Sequence, residues 1–268
     1  MVTLDATKKR NLKQHNAITG SRYEFSVVEK RIIYLIIEKL NGIENEAIEE
    51  SELNEGLKLT INYRPILEIS ELYSENANKN HSYIKDALKR LIFRNYEFDN
   101  IMITEPDGTT EPVDESFNII AQYRIYRHKT TAKILVPKMA LKYFRNLSKN
   151  FTTYNMFNAM TLQSQYSQRL YEQCSRWKDT TWFIMSLDKL KEILNIPDGY
   201  SITMIKKRVL DIAKTELYAK TELSFAYKER KEGKKITGFD FKIFFNESKA
   251  ARLSAPTPPE AVEELILC

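Results

Sequence analysis

Between Ser201 and Phe245 the apolar residues change period once. Ile202, Ile205, Val209 and Ala213 recur at the spacing of one helix face, behind Ser201 as N-cap. Then Leu223, Phe225 and Tyr227, and again Phe239, Phe241, Ile243 and Phe245, alternate as the inward residues of two strands. A helix running to about Tyr218 that feeds a hairpin must share one core with it, which leaves few folds open. The hairpin tip reads Lys228-Glu229-Arg230-Lys231-Glu232-Gly233-Lys234-Lys235. This window holds 11 Lys/Arg against 6 Asp/Glu and the rest of the 268 residues holds 30 of each, so the whole net charge of +5 sits in one unit. Clustered cations bind polyphosphate by counterion release, so the excess points to nucleic acid.

The order of elements before that window occurs twice. In the second half a helix carries Leu162, Tyr166, Leu170, Cys174 and Trp177 on one face. A strand from Thr181 to Met185, a helix Leu187 to Leu194 capped by Ser186, and a turn at Pro197-Asp198-Gly199 lead to the basic helix. In the first half a helix starts at Ser26, with Val27, Val28, Ile32, Leu35, Ile36 and Leu40 at helical spacing and Ile33 and Ile37 widening the apolar face. A strand Leu57 to Ile61 follows, then a helix Ile66 to Tyr73 behind Pro65. Next comes a helix with Ile84, Ala87, Leu88 and Leu91, after the polar start Asn78-Lys79-Asn80-His81-Ser82. Extended runs Tyr96 to Ile103 and Phe117 to Tyr126 are joined through Pro106-Asp107-Gly108, and a strand Thr131 to Val136 stops at Pro137. A helix from Met139 to Asn146 and an Asn- and Thr-rich passage complete this half.

Helix, strand, helix, helix, hairpin is the order of a winged helix-turn-helix. The expected fold is α+β, two tandem winged helix-turn-helix domains, at 21–148 and 149–247, with a flexible arm over 1–20 and a flexible tail over 248–268. The stretch Glu44 to Glu55, with six glutamates, reads as a solvated loop.

Other classes fit poorly. The longest apolar run, Ile32 to Ile37, is far short of a membrane span, and Lys8-Lys9-Arg10 without an apolar core is no secretory signal. Two cysteines, Cys174 and Cys268, make no disulfide framework, so a cytoplasmic setting is expected. His15, His81 and His128 stand apart, which predicts no metal centre, and no glycine-rich phosphate loop is present, which predicts no nucleotide cofactor and no enzyme.

On a helical wheel Thr203, Met204, Lys207, Arg208, Asp211 and Lys214 face away from the core, while Lys206 falls at its edge. The second helix of such a unit lies in the major groove. Lys207 and Arg208 are therefore the leading base or phosphate contacts, with Ser201, Thr203, Met204, Lys206 and Lys214 around them. Lys228, Arg230, Lys231, Lys234 and Lys235 suit a wing that reaches phosphates. Lys79, Asn80, His81, Ser82 and Lys85 begin the corresponding helix of the first half, with the hairpin around Arg124, Arg127, His128 and Lys129 as a further contact. A merely solvated helix face remains the bland reading of the lysines, and the five-cation hairpin beside them weighs against it.

Several strings are similar to those of the iteron-binding plasmid replication initiators. They are Asn16-Ala17-Ile18, Tyr23-Glu24-Phe25-Ser26 and Glu29-Lys30-Arg31, then Tyr166-Ser167-Gln168-Arg169-Leu170-Tyr171-Glu172, Lys206-Lys207-Arg208-Val209-Leu210 and Gly233-Lys234-Lys235-Ile236-Thr237-Gly238-Phe239-Asp240-Phe241. The resemblance implies monomers on direct repeats of double-stranded DNA at an origin, duplex opening, and recruitment of host replication proteins such as a helicase and the host initiator. It also implies a homodimer, joined through the first domain, that represses its own gene at an inverted repeat. Ile212 stands where many members have Pro, which predicts a straighter helix. The alternatives are a winged-helix transcriptional regulator without a replication role and a protein-interaction adaptor.

Overall fold

The computed structural model describes residues 10–43, 55–72, 77–104 and 107–246. Its elements run β1 (Asn11–His15), α1 (Asn16–Gly20), α2 (Val27–Gly42), β2 (Leu57–Asn62), α3 (Arg64–Ile69), α4 (Ala77–Leu91), β3 (Asn95–Thr104) and β4 (Thr110–Asn118). They continue through β5 (Gln122–Ile125), β6 (Thr131–Val136), α5 (Lys138–Leu141), β7 (Phe151–Asn155), α6 (Met156–Thr161), α7 (Gln165–Arg176), β8 (Trp182–Ser186) and α8 (Leu187–Leu194). The last are α9 (Ile202–Ile205), a π-helical turn (Lys206–Leu210), α10 (Asp211–Lys220), β9 (Leu223–Glu232) and β10 (Lys235–Phe245).

The duplication is visible in the sheets. One three-stranded antiparallel sheet has the order β2-β6-β5 and the other β8-β10-β9, so in each the last strand lies between the first and the middle one. Each sheet takes the same helices in the same order, α2, α3 and α4 in the first, α7, α8 and α9–α10 in the second. The first half differs by an insertion, the two-stranded ribbon β3-β4 between its third helix and its β5-β6 hairpin.

Helix α2 is the centre of the molecule. Ser26 and Glu29 form a capping box, the Ser26 hydroxyl accepting from the Glu29 amide and the Glu29 carboxylate from the Ser26 amide at 3.0 Å. Residues 29 to 37 are all buried, including Lys30 and Arg31, so the helix is enclosed on every side. A single hydrophobic cluster extends from Leu12 through α2 and α7 to Ile243, so the two halves are not separated by a solvated seam.

Several expectations are corrected. The expected arm over 1–20 holds β1 and α1, and β1 pairs antiparallel with β7, Leu12 opposite Tyr154. That pairing crosses the division expected at Ser148, because the Asn- and Thr-rich passage contains β7 and α6. The run Phe117 to Tyr126 is two strands in different sheets: Ile119 and Ile120 are both buried, which breaks the alternation and turns the chain from β4 into β5. The first wing is β5-β6, which contains the expected hairpin around Arg124, Arg127, His128 and Lys129. Helix α3 stops at Ile69, with Glu71 left-handed at φ 56°, and α5 ends at Leu141 rather than Asn146. The polar start Asn78 to Ser82 lies within α4. Glu44 to Asn54, Tyr73, Pro106 and the tail from 248 lie outside the described residues.

Candidate nucleic-acid interface

Helix α8 starts at Ser186, whose hydroxyl accepts from the Lys189 amide, and ends at Asn195, left-handed at φ 48°. The turn through Pro197 brings the chain to Ser201, whose hydroxyl accepts from the Met204 amide and starts the next helix. From 202 to 220 the helix is continuous but contains a π-helical turn at Lys206–Leu210. The wider turn lets consecutive residues Val209 and Leu210 both reach the core, together with Ile205, Ala213 and Leu217. Ser201, Thr203, Lys207, Arg208, Asp211 and Lys214 are exposed, as the wheel predicts, and Met204 is half-buried.

The wing is fastened to this helix. Lys206 donates to Glu229 at 2.8 Å and the Tyr227 hydroxyl donates to Asp211 at 2.7 Å. Glu229 also holds Lys231 at 3.0 Å. The hydrogen bond to Glu229 raises the pKa of Lys206, and the bonds from Lys206 and Lys231 lower that of Glu229. Burial, then the Asp211 bond, pushes the Tyr227 hydroxyl upward. Arg230 pairs with Asp240 across the hairpin at 2.8 Å. Strands β9 and β10 run to a two-residue tip, Gly233-Lys234, where Gly233 has φ +61°. Where β10 begins to pair with β8, a Cβ on Gly238 would lie 2.5 Å from the Met185 carbonyl oxygen, so only glycine lets the strands approach there.

The nine predicted cations of this half thus divide. Lys206, Arg230 and Lys231 are committed to carboxylates, whereas Lys207, Arg208, Lys214, Lys228, Lys234 and Lys235 are exposed and have no ion pair among the described residues. The Arg208 guanidinium stands 5.8 Å over the Tyr200 ring, which orients it without neutralising it. Sequence reasoning missed Glu229 as the joint of helix and wing. The available signal was a carboxylate retained between Lys228 and Arg230 on a basic strand.

In the first half α4 exposes Lys79, Ser82, Lys85 and Lys89 at spacings of three and four, one continuous stripe. Asn80 is corrected: it is 5% exposed and faces inward with Ile84, Ala87 and Leu88, so it is no surface contact. His81 is half-buried; burial, then Arg127, then Lys85 lower its pKa. Helix α4 packs against β5, which brings the first wing, with Arg127, His128 and Lys129 exposed, beside it. Each half thereby presents a basic helix face next to a basic hairpin tip. Among the described residues no cluster of His, Cys, Asp or Glu could hold a metal ion, and no helix is long and apolar enough to cross a membrane.

Comparison with known proteins also gives two units, divided near the end of α7 rather than before it. The family model described as initiator replication protein, WH1, matches residues 11–175, and the one described as initiator Rep protein, WH2, matches residues 186–243. The PI protein of Escherichia coli is 26% identical over 271 residues, covering 92% of this chain and 87% of that protein. An uncharacterised 27.6 kDa protein of Escherichia coli is 22% identical, covering 85% and 92%. The crystal structure of the Pi initiator protein in complex with iteron DNA superposes with a TM-score of 0.65 at 21% identity, covering 90% of this chain and 99% of that one, which shows a common fold. With WH1 and WH2 matched in order over most of its length, the chain belongs to the winged-helix replication initiator proteins.

Proposed function

We propose that this protein is a plasmid replication initiator that binds iteron repeats of double-stranded DNA at an origin. Helix α9–α10 lies in the major groove, Lys207 and Arg208 meet base edges or phosphates, and the β9-β10 wing tip grips the backbone. The α4 stripe and the β5-β6 tip make a second contact along the same duplex. The reading is carried by one observation: two copies of a helix beside a hairpin, each with its exposed cations on the helix face and the tip. The similarity to a Pi initiator solved on iteron DNA supports it.

The work of such a protein is binding and deformation rather than bond chemistry. Bending or opening a duplex costs several kcal/mol, on the order of 1–6 for a smooth bend, so several monomers on adjacent repeats act together. Recruitment of a host helicase and initiator, action in the cytoplasm, and autorepression by a homodimer at an inverted repeat complete the proposal. Footprinting of DNA flanking the gene tests it. Tandem direct repeats protected in phase are expected. A single inverted repeat alone would make the protein a transcriptional regulator, and no protection at all would refute DNA recognition.

A further inference from the structure

The two reading helices are connected through a buried ion pair between α2 and α7. Glu29 of α2, wholly buried, accepts Arg90 of α4 at 2.7 Å and Arg94 just beyond it at 3.2 Å. Its neighbour Lys30, 2% exposed, pairs at 2.9 Å with Glu172 of α7, which is 0% exposed. Glu172 also accepts from the Tyr34 hydroxyl at 2.9 Å, the Tyr23 hydroxyl at 3.1 Å and the Gln14 amide at 3.4 Å. These four donors, Lys30, Tyr34, Tyr23 and Gln14, all come from the first half. One turn earlier on α7, the Arg169 guanidinium lies 3.6 Å over the Tyr23 ring. It donates to the Ser21 carbonyl at 2.6 Å and to the Ile193 carbonyl, at the end of α8, at 2.7 Å.

At its other side α7 is held by the second reader. Glu216 of α10 accepts the Gln163 and Ser164 amides that precede α7, each at 3.2 Å, and the Tyr171 hydroxyl donates to Glu222 at 2.9 Å. Adjacent residues of α2, and α7 with the two residues that precede it, therefore link α4 to α10.

An apolar seam would hold the halves together equally well. Burying ions is costly unless their partners are placed correctly, and it tolerates few alternative geometries. A buried carboxylate with four donors on three different segments has one satisfying arrangement, so rotation of one half against the other breaks it.

We infer that Glu172 and Lys30 are positioning residues which hold the two reading helices at one separation and orientation, so that the protein measures the spacing between the parts of a repeat read by each half. This rests on the function proposed above. The residues touch no DNA; they act through α2 and α7.

The test uses the full chain with Glu172→Gln and, separately, Lys30→Met. Binding is measured on the footprinted repeat and on the same repeat with one or two base pairs inserted between the segments protected by the two halves. Wild-type protein is expected to bind the inserted repeat at least roughly tenfold more weakly, the order of one lost base contact. In both variants that ratio falls towards unity, while binding to the segment read by the second half alone is unchanged. A ratio as large as wild type in either folded variant overturns the inference. If Glu172→Gln does not fold, Tyr34→Phe, which removes one donor to the carboxylate, is read by the same ratio. Absence of any repeat binding by wild type would instead overturn the proposed function, so the two failures are distinct.

Discussion

Lys207 and Arg208 differ from Lys206, their neighbour, in one physical respect: they keep their charge unspent. Lys206 neutralises Glu229, while the other two stand exposed on the outer face of the helix. Replacing Lys207 and Arg208 by Ala is expected to weaken binding to the cognate repeat by about 1–3 kcal/mol for each residue that reads a base bidentately, and to reduce discrimination against scrambled DNA. Replacing Lys234 and Lys235 is expected to act differently. Affinity falls alike for all sequences, and the salt slope drops by about one unit per lost phosphate contact. Titrations on cognate and scrambled duplexes over a range of salt separate the two; equal losses of discrimination in both pairs would contradict the assignment of helix and wing.

At the scale of elements, the helix and the wing behave as one part because Glu229 and Asp211 tie them. Glu229 restrains Lys206 and Lys231, and it is itself an anion facing the polyanion. Glu229→Gln is expected to free both lysines, steepen the salt dependence by up to about two units and raise affinity for non-cognate DNA. A salt slope equal to wild type would show that neither lysine reaches phosphate. Elements written locally could be read from the sequence: Ser26 with Glu29, Ser186 and Ser201 each cap a helix that starts at the next residue. The reading helix was legible face by face, because one side chain in three or four must be apolar to pack. What could not be read depends on distant partners. Nothing near Asn11 indicates that its strand partner is Asn155, and alternation alone does not reveal that the chain leaves one sheet for another at Ile119-Ile120. Asn80 looked like a surface residue because polar residues usually are, and its inward position follows only from the phase of α4.

At the scale of the whole molecule, α7 belongs to both halves. It falls within the residues matched by WH1, yet packs against α10 and β9 as the first helix of the second unit. The charges along it make the stability of the molecule depend on alkaline pH. Burial, outweighing the attraction of Glu172, lowers Lys30 to about 8. Above that pH the folded state has released a proton that an unfolded lysine, with an ordinary pKa near ~10.4, still holds, so this group makes stability rise with pH through the window. Burial raises Tyr23, Tyr34, Tyr96, Tyr154 and Tyr171, so above their ordinary value near ~10 the folded state keeps protons that the unfolded chain loses, and stability falls. Wild type is thus expected to gain on Lys30→Met between pH ~8 and ~10, by at most about 1.4 kcal/mol per pH unit, with both declining beyond. Denaturant unfolding of the two proteins at a series of pH values checks this, and parallel profiles would refute it.

The pairing of β1 with β7 has a consequence in time. The first strand emerges early from the ribosome, but its partner begins only at Phe151, after both strands of the inserted ribbon and the whole first wing have been made. Closing so long a loop adds little to its entropic cost but delays the contact itself. Until then Leu12 has no Tyr154 to pack beside, and the apolar face of α2 that β1 covers stays open. The first half therefore cannot finish folding before residues 151 to 155 have been made.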